Sequence, residues 1–141
     1  MPIDYKKYPP NWKTEIRPKI LARDKNRCKK CRKHNYTVGY YNLDGRWTPD
    51  CGNIYHDHIG IFGAESYKEA REVCDSCNEY GQFWDEYYIV IVLTIAHLDQ
   101  DINNNDDNNL AALCQRCHFR HDAPYRLSNK LKRQGQLQLS L

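Results

Sequence analysis

The chain has 141 residues, 40% hydrophobic and 28% charged, with seven cysteines and a net charge of +3. That length suits a single domain around one modest core; no apolar run approaches the roughly 20 residues of a membrane span, and the opening MPIDYKKYPPNW lacks the apolar stretch of a secretory leader. The expected compartment is the cytoplasm, where reduced thiols, several of them in C-x-x-C pairs, favour metal ligation over disulfides.

The basic residues gather at the two ends. Residues 1–33 hold twelve Lys and Arg against three acids, residues 34–88 three against ten, and residues 126–141 four against none. Basic ends around an acidic middle suit a protein that grips phosphate at chosen surfaces; ordinary solvated faces would give the same pattern.

Pro2, Pro9 and Pro10 keep residues 1–12 out of regular structure. Tyr5, Tyr8 and Trp12 are expected to pack this arm onto the domain, with base stacking as the alternative. Thr14 to Asp24 reads as a helix capped by Thr14. Ile16, Ile20 and Leu21 share one face, Pro18 falls in the tolerant first turns, and Arg17, Lys19 and Arg23 lie on the remaining surface. Cys28-x-x-Cys31 follows, with five Lys and Arg around it.

His34 to Trp47 reads as a hairpin turning at Asn42-Leu43-Asp44-Gly45. Ser66 to Glu79 reads as a helix with Ser66-x-x-Glu69 as its capping box. Residues 34–88 as a whole look like an insertion. Cys51, Cys74 and Cys77, with His56 or His58, have the makings of a second zinc site; the plainer reading is a half-buried cysteine pair on a helix.

Ile89 to Ile95 is an apolar, β-branched run that reads as one buried strand delivering His97 at its end. A loop of Asp and Asn follows, closed by Asn109. Leu110 to Leu113 is a second strand. Cys114-x-x-Cys117-His118 then opens a helix carrying His118, His121 and Asp122 on its first turns. Beyond Pro124, Tyr125 to Gln134 reads as a separate short basic helix or tail.

One C-x-x-C pair is a weak signal. Two pairs, Cys28 with Cys31 and Cys114 with Cys117, complete a four-cysteine set, the ligand chemistry of a structural zinc with no position left for water. Imidazole titrates near neutral pH, which makes His97 the best candidate for a general base.

A strand ending in His97, a loop closed by Asn109, a second strand and a helix opening on Cys114-x-x-Cys117-His118 resembles the HNH endonucleases, the zinc-knuckle branch of the ββα-metal nucleases. The likeness is to small phage and bacterial members reading A-H-L-D with C-Q-R-C-H. It extends to PIDY…YP…W…I and the first C-x-x-C, so it covers both ends of the chain and misses the middle. It implies a small single α+β domain with a ββα-metal core stapled by a zinc on four cysteines. Its parts would be an arm, helix and first knuckle (1–33), the insertion (34–88), the ββα motif (89–122) and a basic tail (123–141).

The resemblance also implies metal-dependent hydrolysis of phosphodiester bonds in DNA, nicked or branched DNA included, in a bacterial or phage-infected cell. His97 would be the base, Asn109 would hydrogen-bond across the loop to orient it, and His118 would bind Mg2+ or Mn2+. The family places an Asp or His ligand directly before the base, where this chain has Ala96. Asp122, one helical turn after His118, is the first substitute, with Asp99, Asp101 and His121 behind it, and Ala96→Asp is expected to strengthen the ion site. Two rivals stay open: a zinc-stabilised DNA-binding module without catalysis, and a protein-interaction domain on the same fold. Monomer and homodimer are equally open, and no membrane partner is expected.

Overall fold

The computed structural model describes residues 4–49, 63–80 and 87–139. Within them the chain is a small mixed α+β structure. Its helices are α1 (Arg17–Arg23), α2 (Tyr67–Tyr80) and α3 (Gln115–Leu139). Its strands are β1 (Val38–Tyr41), β2 (Trp47–Pro49), β3 (Ile89–Val90), β4 (Thr94–His97) and β5 (Leu110–Leu113). They form two antiparallel sheets, ordered β2-β1-β3 and β4-β5. None of the described helices is long and apolar enough to cross a membrane.

The expected single strand from Ile89 to Ile95 is divided between the two sheets. Val90 pairs with Val38 of β1, whereas Thr94 to His97 pair with Leu113 to Leu110 of β5. Between them the backbone bonds irregularly: Ile91 N–H donates to Thr37 O, and Leu93 N–H donates to the Asn35 Oδ1. Asn35, itself buried, supplies the acceptor that a ladder partner would otherwise provide. The run is apolar throughout because it serves two cores. Val90 packs with Val38, Ala70, Val73 and Cys74, while Ile91, Leu93 and Ile95 pack with Trp12, Ile20, Leu110 and Leu113.

Asn42 to Arg46 closes the β1-β2 hairpin where the turn residues lie, with Gly45 at φ +84°. Helix α2 has its capping box: Ser66 Oγ accepts the Glu69 N–H, and Glu69 Oε2 accepts the Glu65 N–H. The N-terminal helix starts differently from the expectation. Thr14 caps nothing; a wide π turn over Trp12–Ile16 leads into α1 at Arg17. Asn11 O accepts from both Glu15 and Ile16 N–H there, and Trp12 is turned into the core. Ile20 is fully buried as its spacing predicts, with Ile16 and Leu21 packed at the core's edge.

All three basic residues expected on the surface of this helix are engaged instead; Arg17 donates to Leu93 O at 3.3 Å. Arg23 grips Asp24 through two nitrogens (2.9 and 3.0 Å) and donates to the carbonyls of Asp107 and Leu110 at 2.6 Å. Asp24 in turn accepts the Ala112 N–H. The pair therefore bolts α1 to β5. Lys19 is salt-bridged to Asp107.

Helix α3 begins immediately after Cys114, as read from the motif, but runs unbroken through Pro124 over 25 residues, about 37 Å. The expected separate tail is its second half. A proline inside a helix removes one N–H and crowds the preceding turn. Here the freed carbonyl is that of Arg120, an exposed residue, so it can be solvated and the helix continues, with Tyr125, Leu127 and Leu131 exposed beyond it.

Candidate functional site

The four cysteines of the two C-x-x-C pairs converge. Cys28 N–H bonds to Lys33 O and Arg32 N–H to Cys28 O, which curls residues 28–33 into a knuckle; Lys29 N–H donates to Ala112 O and pins it against β5. At that same C-terminal end of β5, Cys114 leads into α3, where the His118 N–H bonds back to its carbonyl. All four Sγ atoms lie within 4.8 Å of one another, with Cys31 and Cys114 at 3.6 Å. Thiolates on a tetrahedral zinc with bonds near 2.3 Å stand about 3.8 Å apart. The set is close enough to bind one metal ion and is consistent with zinc. Burial pushes the Cys117 thiol up to about 11; four such groups carry their negative charge together only around a cation.

Among the described residues this is the one cluster of three or more metal-ligand side chains. Of the second set considered from the sequence, Cys51, His56 and His58 lie outside the described residues. Cys74 is a packing residue of α2: buried, it donates to Tyr88 O and receives Arg71, and burial raises its thiol.

Strands β4 and β5 with α3 form the ββα arrangement read from the sequence, and His97 ends β4 opposite Leu110. His97 is buried, 7% exposed. Trp12 stacks on it (centroids 5.3 Å, planes 13° apart), and Tyr8 lies at 5.8 Å. Its Nε2 lies 2.9 Å from Asn105 Oδ1. Asn105 Nδ2 is directed at Asn103 O, at 3.5 Å, so Oδ1 is the acceptor and Nε2 carries the proton. That leaves the lone pair on Nδ1.

Asn109 does not touch His97. Its Nδ2 donates to Asp99 Oδ1 and Asn104 O, and its Oδ1 accepts the Asp99 N–H. It spans the loop, as expected, and fixes the segment that presents Asn105. The direct partner is thus a residue that sequence reasoning missed, and among several neighbouring Asn nothing singled it out. Asp99 is spent on the same loop, with hydrogen bonds from Asn104, Asp101 and Asn109 holding its carboxyl below the usual range. His121 Nε2 lies 3.0 Å from the Leu98 carbonyl. Ala96 is 1% exposed in the core, so an Asp there would enter apolar packing, and Ala96→Asp is expected to destabilise the fold rather than strengthen an ion site.

His118 and Asp122 do come together. His118 Nδ1 lies 2.6 Å from Thr94 Oγ1, and the Thr94 hydroxyl donates to Leu113 O at 3.4 Å. Nε2, on the opposite edge of the ring, lies 3.3 Å from Asp122 Oδ2. Gln100 Nε2 holds the second carboxylate oxygen at 2.9 Å. Burial, opposed by Asp122, keeps the His118 pKa below the ordinary histidine value. Thr94 is the other residue missed; its signal is that it is the one hydroxyl in the aliphatic run from Ile89 to Ile95.

Thr94, His118 and Asp122 line a cleft of about 830 Å³ between the N-terminal arm, β4 and α3, whose walls also carry Lys13, Arg17 and Arg126. His97 is not part of that lining; Trp12, which is, covers it. Compared with known protein families, curated proteins and solved structures, the chain shows no match.

Proposed function

We propose that this protein is an HNH-like endonuclease that hydrolyses phosphodiester bonds in DNA with a divalent ion held by His118 and Asp122. The observation that carries this reading is His118 Nε2 and Asp122 Oδ2 side by side at 3.3 Å in a cleft whose walls carry Lys13, Arg17 and Arg126. Adjacent ligands of an octahedral ion with bonds near 2.1 Å stand about 3 Å apart. The Thr94 bond to Nδ1 is the outer partner that a metal-ligating histidine needs to fix its tautomer. Two protein ligands are ordinary for Mg2+ or Mn2+, which take the rest from water and phosphate.

When bound, such an ion stabilises charge on the phosphoryl and leaving oxygens. The chain's own residues do the rest. His97 Nδ1 accepts the proton of the attacking water, and the Nε2–H bond to Asn105 keeps the ring aimed and steadies its charged form. Asn109 positions that loop. Lys13, Arg17 and Arg126 hold phosphates at the cleft, Arg17 and Arg126 with the N–H groups not given to the Leu93 and Phe119 carbonyls; Arg23 and Lys19, neutralised in ion pairs with Asp24 and Asp107, do not. Zinc on Cys28, Cys31, Cys114 and Cys117 is structural and ties the N-terminal knuckle to β5 and α3.

A second reading, a zinc-stabilised DNA-binding module without catalysis, is favoured by Trp12 stacked over His97 and by Ala96 in the place of a ligand. Plasmid nicking by the zinc-loaded protein separates the two. The nuclease cuts with added Mg2+ or Mn2+ and not without, and both His97→Ala and His118→Ala lose cutting while keeping zinc and fold. Retained DNA binding with no cutting under any divalent ion establishes the binding module.

A further inference from the structure

The cleft beside His118 and Asp122 carries more aromatic surface than phosphate contact needs. Tyr5 stands on the arm side and Phe119 on α3, 43% and 65% exposed. Each has a cation over one face: Lys13 Nζ lies 3.9 Å from the Tyr5 centroid, and the Arg126 guanidinium lies 3.8 Å from that of Phe119. Among the described residues neither cation has a carboxylate within salt-bridge distance, and no aromatic ring packs on Phe119. Two ring-and-cation pairs therefore flank one cleft, each with a positive charge that no carboxylate neutralises beside a π surface; Arg126 also donates to the Phe119 carbonyl at 2.8 Å, which fixes it over the ring.

This composition discriminates between forms of nucleic acid. In a duplex the base faces are stacked on each other, and only their edges and the phosphates meet a protein. Unpaired nucleotides offer whole faces, and aromatic rings interleaved with cations are how proteins take them up. The cleft's volume, about 830 Å³, is also in the range of sites that enclose small ligands, enough for a few nucleotides.

We infer that the cleft accepts unpaired nucleotides, as a single strand or the unpaired tail of a branched molecule, with bases stacked on Phe119 and Tyr5 and phosphates on Arg126 and Lys13. The inference rests on the cleft being a nucleic-acid site and names the form it takes.

The test is fluorescence anisotropy with the zinc-loaded full chain and no added Mg2+. Its probes are an oligodeoxythymidylate of about a dozen nucleotides, the same strand in a duplex, an abasic strand of equal charge, and the ribose equivalent. The single strand is expected to bind roughly ten-fold or more tighter than the abasic one. Phe119→Ala should weaken the single strand about ten-fold and leave the duplex unchanged, with binding kept by Phe119→Tyr and not by Phe119→Leu. Phe119 is exposed, so the fold tolerates these changes, and zinc content checks that it has. Tight ribose binding supports the same inference, since both sugars display base faces. Equal binding of duplex or abasic strand, or a silent Phe119→Ala, overturns it. Because no catalytic ion is present, a protein that binds single strands but never nicks loses only the hydrolysis. One that nicks but ignores base faces loses only this inference, and one that binds no polynucleotide loses both.

Discussion

Replacing Thr94 with Val tests the logic of the His118 site without touching a ligand. Valine has the shape of threonine but no acceptor. On the proposed reading the Thr94 hydroxyl, 2.6 Å from His118 Nδ1, accepts from Nδ1–H and so holds the lone pair on Nε2. Without that acceptor the neutral ring is free to move its proton to Nε2, where Asp122 Oδ2 waits at 3.3 Å. The proton then occupies the place of the ion. A hydrogen bond of this kind contributes about 1–1.5 kcal/mol net, a factor of roughly ten in the tautomer balance. Loss of the outer partner of a metal-ligating histidine costs about 10- to 100-fold in metal affinity. Titration of the zinc-loaded protein with Mn2+ should show a loss in that range, and nitrogen NMR of the ring should show the proton moved. Thr94→Val with unchanged Mn2+ affinity and an Nδ1–H ring would refute both the tautomer and the ion site.

Three further outcomes follow from other parts of the structure. Burial lowers the His118 pKa, so its neutral form persists, and Mn2+ affinity should stay flat until the pH falls below about 6.5, the ordinary histidine value. The sign for stability agrees, because the ring's contribution is complete above that value and is lost as the pH falls through the lower, folded one; an affinity midpoint at or above the ordinary value would be wrong for this site. Asp24→Ala strips Arg23 of two charged bonds and orphans the buried Ala112 N–H, which should cost about 3 kcal/mol. Urea midpoints at fixed free zinc measure it, and a loss under about 1 kcal/mol would show that α1 is held to β5 by other means. Cys114→Ser should lose the zinc equivalent and cooperative unfolding together; a variant that keeps both removes Cys114 from the ligand set.

What could be read from the letters was whatever depends on short-range spacing. C-x-x-C twice predicts convergence at one point because a tetrahedral ion sets narrow distances. Capping and turn chemistry at Ser66 and Gly45 is local, and so is the α-helical start after Cys114. The misreadings share a cause: contacts from distant parts of the chain. Nothing near Ile89–Ile95 states that β1 will take its first residues and β5 its last. The wide turn at Trp12–Ile16 exists because Trp12 must reach a core built by β4 and β5. Arg23 looks like a surface cation until Asp107 and Leu110, more than eighty residues on, present their carbonyls to it. At the site, His118 and Asp122 are one turn apart and pair as spacing predicts. The second partner of the His118 ring, Thr94, comes from a distant strand, and the partner of His97 is an Asn indistinguishable from its neighbours.

The N-terminal arm connects the two halves of the functional reading. Its Trp12 is 95% removed from solvent, in part by stacking on His97, while Tyr5 and Tyr8 of the same arm line the cleft. Uncovering a buried tryptophan, about 150–250 Å² at about 25 cal/mol per Å², costs about 4–6 kcal/mol, so an arm lifted without compensation would be populated at roughly one part in a thousand or less. Each base stacked on the arm contributes about 1–3 kcal/mol, so two or more stacked bases are of the same size. If His97 is the base, occupation of the cleft and access to Nδ1 are therefore energetically matched, and the resting enzyme holds its base covered. A smaller residue at Trp12 would remove the cover and core packing together, whereas Tyr5→Ala touches only the exposed end of the ladder. The two variants should separate, with Trp12→Ala losing stability and Tyr5→Ala losing cutting of single strands at constant stability. Loss of stability in both would mean that the arm is packing alone.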